Sequence, residues 1–515
     1  MASSGETKFD LELAVTATLS ATAALFQLYF YNMLEFHRDE LLYFSLGQHL
    51  DFGYASVPPF VGFLAFVSEK MFGYTLFAAK FFPAIAGGFI AFLSARMAKE
   101  LNGGIFAQVL TIVALSGSIL FLRSSSLFQP VIFDILFWTA AMYFIIRYMN
   151  SEKEKFLLFL GVTIGIGFLN KYNILFLVIA LFATLPFTKY RKIFTSKYFY
   201  LSLLIAFLVA LPNIVWQIAN HFPVIRHMTE LRNTQLVNMN VAGFLTDQLF
   251  MIIPATLIVI PGTIYLFFAK KMKEFRLPGF ISILVIVLFL LLKGKSYYTA
   301  GIFPFIIAAS AVSIENIIKP KYLQVILMAV LIYLEWIFLP IGKPIFKPEK
   351  LVRYFDQMEA VSGDNSSRRF EDDTYHQLPQ DYADMLGWNE LTEVTNRAWQ
   401  QVDDKNNCII YCENYGQAGA ISIIGKKYGL PEPLSFSDAY RYWIPKSFDR
   451  EISEIIYIND EPGDDVKELF ADIRKIGQID NPLAREYGTG VFLCRNPRQS
   501  FNTFWEERVK EVTGE

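Results

Sequence analysis

Eleven apolar runs constrain this chain more than any other feature of it. They fall at roughly 11–31, 76–95, 104–122, 130–148, 156–170, 172–187, 199–218, 247–268, 278–292, 299–317 and 322–340. About 20 apolar residues in a helix cross roughly 30 Å of hydrocarbon and satisfy their own backbone groups while doing so. Composition agrees: 54% of the 515 residues are hydrophobic and 18% charged, where a soluble protein carries about a quarter charged. The expectation is an α-helical polytopic membrane protein with about 11 transmembrane helices. From about Lys343 the composition turns to that of a soluble domain, so residues 1–344 are assigned to the membrane part and 345–515 to an α/β domain.

A net charge of −2 gives no global basic field, which argues against nucleic acid as a partner. Cys408, Cys412 and Cys494 match no metal-binding spacing and read as buried thiols. Only Lys8 precedes the first run as a basic residue, and Asp10 and Glu12 flank its start, so 11–31 reads as an uncleaved span. Sixteen basic residues fall in the short connections on the N-terminal side. Nine fall on the other: Arg38, Lys70, Lys80, Arg123, Lys171, Arg226, Arg232, Lys293 and Lys295. The bias predicts a cytoplasmic N-terminus and an extracytoplasmic C-terminal domain.

The first outer connection, 32–75, is long. Asp39, Tyr43 and Leu46 share one face of a short helix, and Asp51–Tyr54 reads as a turn ahead of Pro58-Pro59. A second short helix is expected from Phe60 to Met71, capped by Gly73. In the C-terminal domain Cys408–Tyr411, Ile455–Ile458 and Gly490–Cys494 read as buried strands, with a helix over Ala418–Tyr428.

The polar residues that need a chemical reason converge on the outer face. Asp39 and Glu40 are either a helix start that offsets exposed N–H groups or acidic members of a site. Asp134 lies within a span, where a carboxylate needs a partner, a metal or water. Lys171-Tyr172, and Lys293 and Lys295 beside Tyr297-Tyr298, sit where basic residues are disfavoured, which suits an anionic ligand such as a lipid phosphate; interfacial snorkelling and an aromatic belt are the bland alternatives. The 219–246 connection adds His227, Arg232 and Gln235, and a histidine with Asp39 or Asp134 could hold a divalent metal. Carboxylates beside cations suit group transfer from a phosphate-linked lipid, with the leaving phosphate clamped and the acceptor deprotonated. A transporter or lipid flippase is the rival reading, although no repeat or paired broken helices support it; a non-catalytic envelope scaffold is a third.

Asp39-Glu40-Leu-Leu-Tyr43, Gly53-Tyr54 and Pro58-Pro59 resemble the first extracytoplasmic loop of the GT-C membrane glycosyltransferases. The similarity is to the protein O-mannosyltransferase-like family 39 and the lipid A aminoarabinose transferases. It continues through Gln129–Asp134, Lys171-Tyr172, Thr234–Asn238, Lys293–Tyr298, Glu413–Ala420 and Gly425–Pro431. The resemblance implies transfer of a sugar, with inversion, from a polyprenyl-phosphate carrier to a protein, a lipid A-like glycolipid or a glycan in a bacterial cell envelope. It implies Asp39 as catalytic base with Glu40 beside it. Relatives often carry a charged residue or histidine directly before the paired prolines; here Ala55-Ser56-Val57 stands there. Phosphate binding then falls to Lys171, Arg232, Lys293 or Lys295, and a metal requirement becomes doubtful.

Overall fold

The computed structural model describes residues 4–234 and 240–513. Seven helices among them are long and apolar enough to cross a membrane: Leu11–Tyr29, Leu76–Glu100, Pro130–Ser151, Lys197–Ala219, Lys270–Leu291, Ser296–Ile317 and Lys321–Gly342. An eighth arises if Ile174–Phe187 and Lys189–Thr195, bent by 110°, form one span, and Ile105–Ser116, Lys155–Asn170 and Thr256–Phe268 are shorter apolar helices. Each run in the sequence meets one of these helices. Two of the runs are not continuous helices, however.

The 104–122 run breaks at Gly117-Ser118, and a new helix starts at Ile119. The 247–268 run breaks after Phe250, where Pro254 lacks the N–H that helix continuation needs, and restarts at Thr256. The breaks compensate each other. Ile119 N–H donates to the Ile253 carbonyl at 3.1 Å and Leu120 N–H to that of Met251 at 2.8 Å. Backbone groups orphaned at one helix end are thus satisfied by the other, as apolar surroundings demand. Elsewhere the bundle packs through small residues. A Cβ on Gly161 would lie 2.4 Å from the Ser202 carbonyl oxygen, so only glycine lets Lys155–Asn170 approach Lys197–Ala219 this closely.

The C-terminal part carries a four-stranded sheet of β1 (Cys408–Cys412), β2 (Glu454–Asn459), β3 (Phe470–Gln478) and β4 (Gly490–Pro497), in the order β1-β2-β4-β3. The β1–β2 pair is parallel and the other two pairs are antiparallel. The edge strand β3 is the one the sequence hides. Its exposed Asp472, Arg474 and Lys475 guard an edge that would otherwise invite further pairing.

Packing ignores the division at 344/345. Leu41, Leu42, Phe44 and Leu46, from the helix Arg38–Gln48 in the first connection, share one apolar core with Trp388, Leu391 and Ile421 and with Ile410, Ile456 and Leu493 of the sheet. A separate core fills the helical bundle around Trp138, Phe289 and Phe305. The first-connection helix therefore lies between the two parts, and the site is built on it.

Candidate active site at the first-connection helix

His37 starts the helix Arg38–Gln48. Its Nδ1 accepts from Asp39 N–H at 3.1 Å, and its own N–H donates to Glu40 Oε2 at 2.9 Å, which completes a capping box. The geometry sends the adjacent carboxylates apart. Glu40 is fully buried, and Lys80 Nζ donates to both its oxygens at 2.6 and 2.7 Å. Phe128 N–H adds a bond of 2.9 Å to Oε1. Lys343 lies in the same buried setting: burial first, and then the Lys80 charge, hold its amine down to about 7. Glu40 thus fastens the helix start to the Leu76–Glu100 helix and to the segment at Phe128.

That segment continues into Gln129, whose Nε2 donates to Asp39 Oδ2 at 2.9 Å. Asp39 Oδ1 accepts from the Tyr415 hydroxyl at 2.9 Å, a partner from the C-terminal part. Tyr415 opens the helix Tyr415–Ile423, which Asn414 and Gln417 cap reciprocally, and both of those side chains donate to Glu486. Close packing brings this helix to Asp39. A Cβ on Gly419 would meet the Leu41 Cβ at 2.7 Å. The Arg38 guanidinium lies over the Tyr415 ring at 4.5 Å. Burial, reinforced by the Asp39 charge, holds the Tyr415 phenol well above its ordinary value, so it is a donor at any working pH. Tyr43, one turn on and buried, is pushed up by the same two causes.

Tyr297, whose phenol feels the Asp39 charge, connects this carboxylate to residues expected from the sequence. Lys171 Nζ sits 5.0 and 4.7 Å from the ring centres of Tyr297 and Tyr298. Asn173 Nδ2 donates to Asp134 Oδ2 and to the Tyr298 carbonyl, both at 2.8 Å, and the Trp138 indole acts on the same buried carboxylate. Lys295 Nζ donates to Glu371 at 3.4 Å. Tyr172 instead braces the frame: its hydroxyl donates to Asn213 Oδ1 at 2.8 Å, and Asn213 holds the Phe52 carbonyl at 2.7 Å. The Lys293 and Arg232 side chains are exposed and make no hydrogen bond or ion pair among the described residues, and Gln235 lies outside those residues.

Some members of the site were invisible in the sequence. Asp438 is one, its Oδ1 accepting from Ser56 Oγ at 3.1 Å just ahead of the paired prolines, whereas Gln129 and Tyr415 lie inside stretches that carried the resemblance without being given a role. Burial raises the Asp438 carboxyl and lowers the His227 imidazole, while their mutual attraction opposes both shifts. A carboxylate from the C-terminal part thereby stands beside a stretch that lacks charge of its own. Among the described residues no three His, Cys, Asp or Glu side chains are grouped to hold a metal ion, and Asp39, Asp134 and His227 form no such group.

Residues 56–216 match the family of dolichyl-phosphate-mannose-protein mannosyltransferases. Over 219 residues the chain is 23% identical to the lipid A galacturonosyltransferase RgtD of Rhizobium johnstonii, a match covering 41% of this chain and 44% of that protein. The match thus spans under half the length of that curated relative. The fold is similar to that of ArnT from Cupriavidus metallidurans in two crystal structures. The one bound to undecaprenyl phosphate gives a TM-score of 0.66 at 12% identity, covering 92% of this chain and 97% of that one. The apo form gives 0.59 at 11% identity, covering 95% and 98%. At such identities the likeness speaks for the fold, and the family match supplies the sequence relation. The chain thus has an ArnT-like fold, within which residues 56–216 are similar to the dolichyl-phosphate-mannose-protein mannosyltransferase family and part of the chain to a lipid A galacturonosyltransferase.

Proposed function

We propose that the protein transfers a sugar from a polyprenyl-phosphate carrier to a hydroxyl of a lipid A-like glycolipid, on the extracytoplasmic face of a bacterial inner membrane. The observation that carries this reading is Asp39, a half-buried carboxylate oriented by two donors, with Lys171 and Lys295 both over the ring of Tyr297, whose phenol feels the Asp39 charge. Asp39 takes the proton of the acceptor hydroxyl as that oxygen bonds to the anomeric carbon. The bond from this carbon to the phosphate oxygen breaks on the opposite side, so the configuration inverts. Lys171 and Lys295 stabilise the departing lipid phosphate, whose charge grows in the transition state. The names of the matched relatives, a lipid A galacturonosyltransferase and a protein crystallised with undecaprenyl phosphate, favour this donor and acceptor over a transported cargo.

The experiment is Asp39→Asn assayed in membranes supplied with polyprenyl-phosphate sugars and lipid A. Transfer is expected to fall by roughly 10²-fold or more, the usual contribution of a general base, with insertion and melting temperature unchanged. Full activity in that variant rules out Asp39 as the base.

A further inference from the structure

The α/β part reaches the carboxylate on which the proposed chemistry depends, and it does so with one hydroxyl. Asp39 Oδ2 is held by Gln129 from the bundle and Oδ1 by Tyr415 from the C-terminal part, each at 2.9 Å. Gln129 cannot orient the carboxylate alone, because a single hydrogen bond leaves rotation about the terminal carboxylate torsion free. A second donor from a different element fixes that plane. We infer that Tyr415 is a positioning residue for Asp39, so that the C-terminal part is a component of the catalytic unit rather than an appended domain. This rests on the reading of Asp39 as the base.

Everything around Tyr415 serves to keep its hydroxyl in place. It is the first residue of a helix capped by Asn414 and Gln417, and Glu486 accepts from both caps. The Arg38 guanidinium covers the ring at 4.5 Å, and its buried Nε makes no hydrogen bond among the described residues. The helix cannot draw back without opening the contact of Gly419 with Leu41. A phenol that donates also stabilises the charged form of its acceptor. Removing it therefore loosens the carboxylate and makes it harder to ionise.

The test compares Tyr415→Phe with the wild-type chain and with Asp39→Asn, all as full-length protein. Phenylalanine keeps the ring under Arg38 and removes only the oxygen. The expected result is a kcat lower by roughly ten- to a hundredfold, the scale of a misplaced catalytic group. KM for the lipid donor stays within about twofold, and the acidic limb of the pH–rate profile moves to higher pH. Installing 3,5-difluorotyrosine at position 415, a stronger donor of nearly the same shape, moves that limb to lower pH and guards against a folding defect in the phenylalanine variant. A wild-type kcat and pH profile in Tyr415→Phe, or a rise in KM alone, overturns the inference while Asp39→Asn stays inactive. An active Asp39→Asn overturns the reading of the base itself.

Discussion

Asp39 and Glu40 are adjacent, yet successive residues on a helix point about 100° apart, and that angle gives them different work. Asp39 faces the donors Gln129 and Tyr415. Glu40 turns into the bundle, where its side chain is fully buried against Lys80 and two backbone N–H groups. A buried pair of this kind contributes little net stability, because desolvation offsets the attraction, but losing one partner strands a charge. Glu40→Gln and Lys80→Met are each expected to cost about 3–5 kcal/mol, and the double variant clearly less than their sum, since it leaves neither charge unpaired. Thermal unfolding in detergent measures the cycle; strictly additive losses would show that the two side chains are not coupled. The cations resolve in the same manner. Lys171 is drawn over Tyr297 and Tyr298, whereas Lys293 and Arg232 are exposed.

At the scale of elements, local rules served well wherever an element answers to its own sequence. The spacing of Asp39, Tyr43 and Leu46 announced a helix found at Arg38–Gln48. Phe60 to Met71 became Phe60–Phe72, ended by Gly73 at a φ of 68°. Hydrophobicity was silent on the helix breaks at Gly117 and Pro254, because an apolar run reads the same whether or not its backbone bonds are exchanged with another segment. Gln129 and Tyr415 lie in stretches that the resemblance marked, but their pairing with Asp39 was illegible for a related reason: they lie 90 and 376 positions along the chain, and only tertiary packing brings them near. Gly419 is where that packing is decided. With Cβ–Cβ contact at 2.7 Å, Gly419→Ala must push the helix Tyr415–Ile423 off Leu41. The expected loss is about 1–3 kcal/mol, the range for overpacking a closed contact, with transfer activity falling as the Tyr415 hydroxyl withdraws. Unchanged melting and activity would mean that the helix slides to accommodate the methyl.

At the scale of the whole molecule, composition divides the chain into an apolar part and a polar one, but one core is shared across that boundary. The helix Tyr415–Ile423 is buried from Gly416 onward, and part of what covers it is Leu41, Leu42, Phe44 and Leu46 from the far end of the sequence. Burying a leucine or phenylalanine side chain is worth about 1.5–3 kcal/mol. Four of them approach the entire roughly 5–15 kcal/mol margin of an ordinary domain. A fragment of residues 345–515 is therefore expected to lack a cooperative thermal transition in near-ultraviolet circular dichroism and to bind hydrophobic dyes. Linking residues 32–50 to it should restore the transition, because the apolar face of the helix Tyr415–Ile423 is then covered again. If the bare fragment melts cooperatively with no dye binding, the C-terminal part folds on its own sheet and the first-connection helix merely docks on it. If the linked segment rescues it, the Asp39 carboxylate and the α/β fold are held by one core, and the chain cannot be divided at 344/345 without dismantling the candidate site.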